Sequence, residues 1–225
     1  MESFSENLQN LSIQFVPFMM AVVFHEFAHG FIANRFGDST AKAAGRLTLN
    51  PIPHIDPLGT LVFPLINMLS GMNLLFGWAR PVPINPARFS NMRRGLFWVS
   101  LAGPIMNFIL AILAAASFCA IVTWMPESFF LYDPLTRMSL VAVSLNYALG
   151  IFNLIPLPPL DGSKVVESFL PFEAARKYEA IAQYSFFILM ALLLTGALNV
   201  LSYPIHFCTK MTISLMAQLF HIPGI

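Results

Sequence analysis

His25 and His29 stand four residues apart in "VVFHEFAHGF", with Glu26 between them. On a helix, that spacing puts both histidines on one face, one turn apart, where two imidazole nitrogens can meet one metal ion. Glu26 lies one step round the cylinder. It is placed to accept a proton from a metal-bound water rather than to ligate. This H-E-x-x-H arrangement is that of zinc hydrolases, in which zinc brings the pKa of its water to roughly 7 and the carboxylate acts as general base. The flanking residues are apolar, which argues against chance. Ionisable side chains near the middle of a membrane helix cost roughly 2.5–3.5 kcal/mol each on insertion scales. Three of them within five residues imply a function that retains them.

A catalytic zinc site needs a third protein ligand and one open position. The candidates are His54, His206, His221, Asp56, Asp161 or another carboxylate. Asp161 stands out. It follows "NLIPLPPL", whose Pro156, Pro158 and Pro159 end a helix, and the Asp161–Gly162 pair suits a tight turn. Unwound chain at membrane depth is tolerated where it lines a protein cavity, so this carboxylate could turn inward to a metal. His54 and Asp56, in "PHIDP", read more simply as an Asx-type turn with a local hydrogen bond. His206 and His221 read as interfacial.

The elements that must position these groups are membrane helices. The 225-residue chain is 57% hydrophobic and 10% charged, with a mean hydropathy of +0.70. Soluble domains carry about 25% charged residues. The net charge of +1 comes with no Arg/Lys cluster of the kind that grips phosphate, so nucleic acid is not an expected partner. Two cysteines, Cys119 and Cys208, are too few for a disulfide framework or a Cys-rich zinc site. The opening "MESFSENLQN" lacks the basic region and short apolar core of a cleavable signal, so the first span is expected to be retained.

About 20 apolar residues cross a bilayer as a helix. Five segments qualify at least in part: Leu11 to Arg35, Leu58 to Trp78, Gly95 to Trp124, Met138 to Ile155, and Ala180 to Tyr203. The last stretch, "HFCTKMTISLMAQLFHI", is expected along the interface or packed on the bundle. "TAKAAGRLTLN" and "WARPVPINP" are candidate short strands, the latter limited to an edge by Pro81, Pro83 and Pro86. The expected architecture is an all-α polytopic membrane protein, a bundle of about four full spans plus one re-entrant or kinked segment, with room for short β-strands at the cytoplasmic side. Residues 1–225 read as one membrane-embedded unit. Its core is 11–170, followed at 171–225 by an additional span and an interfacial segment.

Three stretches together, "HEFAHG" (25–30), "AGPIMNF" (102–108) and "NLIPLPPLDG" (153–162), resemble the site-2 protease family of intramembrane zinc metalloproteases. "NPIPHIDPLGT" (50–60) and "FGWARPVPINP" (76–86) look like its compact bacterial-type branch without a PDZ domain. The resemblance implies one Zn2+ per chain, held by His25, His29 and Asp161, with Glu26 as general base. It implies that Asn153 helps hold the substrate strand or the developing oxyanion. Asn107 and Gly103–Pro104 match a more structural core-helix motif, and His54 falls in a branch-specific motif with no firm role. The implied activity is hydrolysis of a peptide bond in or near the transmembrane helix of a membrane protein substrate. The implied partners are that substrate and the lipid bilayer. Substrate selection would not use a PDZ domain.

Topology can be tested by parity. His29 is six residues before Arg35, roughly 9 Å along a helix, and Asp161 follows the end of the fourth segment. The two meet only if an odd number of full crossings separates them before that segment begins. Segment 58–78 is therefore expected to return to its side of entry, interrupted by Pro64, Asn67, Ser70, Gly71 and Asn73. With the N-terminus outside, ten of the twelve Lys and Arg fall in cytoplasmic loops, leaving Arg137 and Lys210 outside. The positive-inside rule thus puts the active site nearer the cytoplasmic face of a bacterial-type cell membrane. Two rivals are a metal transporter, disfavoured by a single cluster without repeats, and a non-catalytic zinc scaffold, which would close its site with a fourth protein ligand.

Overall fold

A computed structural model describes residues 4–63 and 77–222. Helix α1 covers Phe4–Arg35, and a single turn, α2, covers Thr40–Ala43. The long α3, Met92–Trp124, has the Asn91 side chain capping the Arg94 amide at its start. Then come α4, Tyr132–Asn153, and two short amphipathic helices, α5, Asp161–Phe169, and α6, Phe172–Glu179. Helices α7, Ser185–Leu194, and α8, Ser202–Leu219, complete the order.

Among the described residues, four stretches are long and apolar enough to cross a membrane: Gln9–Arg35, Met92–Trp124, Tyr132–Asn153 and Phe172–Leu194. The chain is an all-α polytopic membrane protein. In lipid there is little hydrophobic drive between helices, so close contact comes from small side chains and interhelical hydrogen bonds. Helix α3 supplies both. Gly103, Asn107, Ala111, Ala115 and Cys119 recur every four residues on one buried stripe. Gly103 faces α1, and Asn107 touches α1 and α4. Ala111 and Ala115 pack on Val143 and Tyr147 of α4. Cys119 meets Ala217 of α8. The last segment therefore packs on the bundle, where Tyr147 also hydrogen-bonds Thr212.

Helices α1 and α4 run parallel, since Asn10 and Gln14 share a groove with Arg137 and Leu140 at their starts. Their C-terminal ends therefore lie together, as the parity argument requires. Most of segment 58–78 lies outside the described residues. Its two ends do not: the Trp78 amide donates to Gly59 O at 3.2 Å, and the Thr60 hydroxyl donates to Trp78 O at 2.9 Å. The expected return of this segment to its side of entry falls on residues 64–76, outside those described.

Three expectations need correction. Neither candidate strand forms a ladder. Thr40–Ala43 is helical, and 77–85 is an irregular strap, deprived of donors by Pro81 and Pro83. Its other groups are used by anchors rather than by a neighbouring strand. The fifth span is not one helix over Ala180 to Tyr203. Gly196 sits in the left-handed region at φ 71° and breaks it, and the helical run that leads into it begins earlier, at Phe172. Asp161 and Gly162 open α5 rather than a turn. Gly162 is needed for close approach, because a Cβ there would lie 2.2 Å from Leu154 O.

Asp38 anchors the far end of the strap. It is fully buried and accepts from the Asn85 amide at 2.6 Å, and from the amide and hydroxyl of Thr40. Burial alone would push its carboxyl up. The Thr40 hydroxyl, the Asn85 and Thr40 amides and the charge of Arg88 outweigh that and hold it below its ordinary value. With the folded pKa below the unfolded value of about 3.9, its contribution to stability is complete above that value and disappears as pH falls through the folded pKa. The gap in thermal midpoint between wild type and Asp38→Asn is expected to be constant above about pH 5 and to close on acidification. A gap independent of pH down to the acid limb would contradict the anchor.

Candidate active site

The H-E-x-x-H turn sits in the last third of α1, where α3 crosses close enough to cover it. His25 and His29 are 8% and 6% exposed. Their Nε2 atoms lie 3.0 Å apart, and each faces Asp161 Oδ2, at 3.1 Å from His25 and 3.3 Å from His29. Asp161 reaches them from the start of α5, which packs on α3 immediately after the Pro-rich end of α4. Two histidines and an aspartate more than 130 positions downstream thus bring one ligand atom each within 4.8 Å of the others.

The hydrogen bonds behind the histidines set what faces forward. His29 Nδ1 donates to Val99 O at 2.6 Å, since a carbonyl can only accept. His25 Nδ1 lies 2.6 Å from Asn107 Oδ1. Asn107 Nδ2 is committed to two acceptors, Ala21 O at 3.3 Å and Asn146 Oδ1 at 2.9 Å. Its oxygen is therefore the atom that accepts from His25. Asn146 is fixed in turn by donating to Ala142 O. With both Nδ1 atoms protonated, both Nε2 atoms of the neutral rings present lone pairs. Such carbonyl and amide partners orient metal-bound histidines and fix their tautomer.

Three electron-rich atoms therefore point at one another, and Asp161 Oδ2 is buried without a hydrogen-bond partner. A buried arrangement of this kind is costly unless a cation sits among the atoms. Gly103 of α3 closes the same space, and a Cβ there would lie 2.4 Å from His29 Nε2 and 2.5 Å from His25 Nε2. Two imidazoles and a carboxylate with an open side suit a catalytic Zn2+.

Glu26 does not join the cluster. Its Oε2 accepts from the Val82 amide at 2.7 Å, which ties it to the strap. Beneath lies a cavity of about 370 Å³ lined by Glu26, Val82, Ile84, Asn153 and Asp161, with Lys164 beside it. Asn153 borders the cavity, and one of its amide hydrogens is used on Leu149 O at 3.0 Å.

His54 does not reach the site. It is fully buried, its Nε2 bonding Thr48 O at 2.9 Å, while Asp56 Oδ1 caps the Leu58 and Gly59 amides. This is the local turn that the sequence suggests. Sequence reasoning missed Asn146, Asp38 and Arg46. An asparagine in the middle of an apolar span was a readable signal for the first. Nothing in the local pattern distinguished the other two from solvated loop residues.

The profile described as Peptidase family M50 matches residues 132–195, which include α4, Asn153 and Asp161. A Bacillus subtilis protein named "Putative zinc metalloprotease YwhC" is 36% identical over 181 residues, covering 80% of this chain and 79% of its own. Two mycobacterial proteins named "Putative zinc metalloprotease Rip2" are also similar. That of Mycolicibacterium smegmatis is 34% identical over 182 residues, and that of Mycobacterium tuberculosis 32% over 185. Each alignment covers 80% of this chain and 66% of the relative. No solved structure matches. An H-E-x-x-H helix closed by a distant aspartate, inside a bundle of membrane spans and on a sequence shared across four fifths of the Bacillus relative, has one consistent assignment: the chain belongs to peptidase family M50, the site-2 proteases.

Proposed function

We propose that the chain is an intramembrane zinc endopeptidase that hydrolyses a peptide bond in or beside the transmembrane helix of another membrane protein. The observation that carries this is the convergence of His25 Nε2, His29 Nε2 and Asp161 Oδ2 beside Glu26 in a cavity between spans. His25, His29 and Asp161 hold one Zn2+ per chain, and the names of the relatives agree with that metal. When bound, zinc supplies Lewis acidity to the scissile carbonyl and acidifies water. The chain's own groups do the rest. Val82 N–H fixes one carboxylate oxygen of Glu26, leaving Oε1 to take the proton of the attacking water and return it to the leaving amine. Asn153 has an amide hydrogen to spare for the substrate carbonyl as charge develops on it.

A transmembrane helix hides its carbonyls in its own hydrogen bonds and must unwind locally before attack. The strap at 77–85 borders the cavity through Pro81, Val82 and Ile84, the wall along which such a segment would lie. The excess of Lys and Arg on the loops at this end favours a cytoplasmic active site and an outside N-terminus.

The test is cleavage of a transmembrane substrate in proteoliposomes. Glu26→Gln is expected to keep one zinc per chain and to lose about 10²–10⁴-fold in rate, the usual contribution of a general base. Wild-type cleavage by that variant would remove Glu26 from the role.

A further inference from the structure

Arg46 is a buried cation with no carboxylate in direct contact, the charge of Glu26 acting on it only from farther off. It is 8% exposed, and among the described residues no carboxylate pairs with its guanidinium. Its Nε has no partner. Its hydrogen bonds go to backbone: Nη2 donates to Arg80 O at 2.6 Å and to Pro81 O at 3.2 Å. Burying an arginine is expensive, and two carbonyls of an irregular strap are modest compensation. The position of those carbonyls explains the arrangement. The next amide along the chain is Val82 N–H, the donor to Glu26 Oε2.

The strap has few other ways to hold that amide in place. Pro81 and Pro83 flank it and donate nothing. The nearest bonds before it are Arg80 N–H to His54 O and the Trp78 pair. After it the next is Asn85 N–H to Asp38. Between Arg80 and Asn85, then, the hydrogen bonds described for the strap backbone are the Arg46 clamp and the bond to Glu26. The Val82 side chain is also fitted against α1, since a Cβ on Gly30 would lie 3.2 Å from Val82 Cγ1.

We propose that Arg46 is a positioning residue for the general base, fixing the Arg80–Pro81 carbonyls so that Val82 N–H holds Glu26 with one oxygen turned to the water. This rests on the zinc-peptidase reading above. Both bonds leave one nitrogen, Nη2, at the far end of a rigid planar group, and the lysine stem is one bond too short to bring its ammonium to that point. Charge and geometry are therefore separable by substitution. A misplacement of about 1 Å in a catalytic group can cost roughly 10²-fold.

The experiment uses the full chain in proteoliposomes with a transmembrane substrate, reading kcat, KM and zinc per chain. Arg46→Met is expected to lower kcat by about 10²-fold with KM and zinc unchanged. Arg46→Lys is expected to retain most of that loss. Replacing Val82 by its α-hydroxy acid deletes only the N–H, and should lower kcat similarly with Arg46 intact. Combining the ester with Arg46→Met should cost no more than the worse change alone, because both break one chain of contacts. Unchanged kcat in Arg46→Met or in the ester overturns the proposal. So does full activity in Arg46→Lys, additivity of the two changes, or zinc lost in step with activity. Glu26→Gln measured alongside separates the two levels. If it is inactive while the Arg46 variants are fully active, only this proposal falls. If it still cleaves, the peptidase reading falls and takes this one with it.

Discussion

Gly103→Ala is expected to yield a folded membrane protein that holds no zinc and cleaves nothing. The added methyl would lie 2.4 Å from His29 Nε2 and 2.5 Å from both Nε2 and Cε1 of His25, closer than carbon and nitrogen can approach. Something must move, and each option damages the site. Turning either ring breaks its Nδ1 bond, to Val99 O or to Asn107, and re-aims the lone pair meant for the metal. Moving α3 away opens the small-residue stripe at Asn107, Ala111 and Ala115, which are all fully buried. Alanine also favours helix over glycine by roughly 1 kcal/mol, so helicity should not fall. The measurements are zinc per chain by elemental analysis, cleavage in proteoliposomes, and far-UV circular dichroism. A variant with full zinc and wild-type cleavage would show that α3 does not approach the histidines as described.

This position illustrates what the sequence could and could not convey. "HEFAHG" and "PLPPLDG" announced their chemistry because ionisable groups in apolar surroundings need a reason. Their meeting was legible through parity. Parity depends only on which segments cross. "AGPIMNF" was readable as a helix motif, but not as the wall of the site. A glycine in an apolar run has many packing reasons, and only the crossing with α1 shows that His25 and His29 lie opposite it. Asn107 was expected to be structural, yet it holds His25 in its tautomer through a bond across 82 positions.

The errors have a common physical source. Strand propensity in "WARPVPINP" was read locally, but a ladder needs a partner, and Arg46, Asp38 and Glu26 take the groups that a partner would use. Arg46 itself looked like one more positive charge in a cytoplasmic loop. Its burial arises from the folding of residues 39–57 against the strap, a long-range fact without a periodic trace in the chain. The break at Gly196 was missed because hydropathy averages over a single left-handed residue.

Asp161→Asn should separate metal binding from folding more cleanly than removal of either histidine. Asparagine has nearly the same volume, so the start of α5 and the contact of Gly162 with Leu154 O are preserved. In the wild-type chain Oδ2 faces the lone pairs of two imidazoles and has no hydrogen-bond partner. An amide nitrogen in its place donates to those lone pairs and relieves the clash of acceptors. The metal-free variant is therefore expected to melt at or above the temperature of metal-free wild type, because a buried group that lacked a partner has gained one. Zinc has the opposite preference. It loses its anionic ligand, and must break the new hydrogen bonds before it can bind. Wild type should melt higher after zinc is added, since a ligand that binds only the folded state stabilises it by mass action. The variant should show little such shift, retain no stoichiometric zinc after dialysis against a chelator, and cleave at background. Stoichiometric zinc in Asp161→Asn would mean that the third ligand comes from elsewhere in the chain. A large fall in the metal-free midpoint would mean instead that the carboxylate supports the fold through His25 and His29, with the metal secondary to that role.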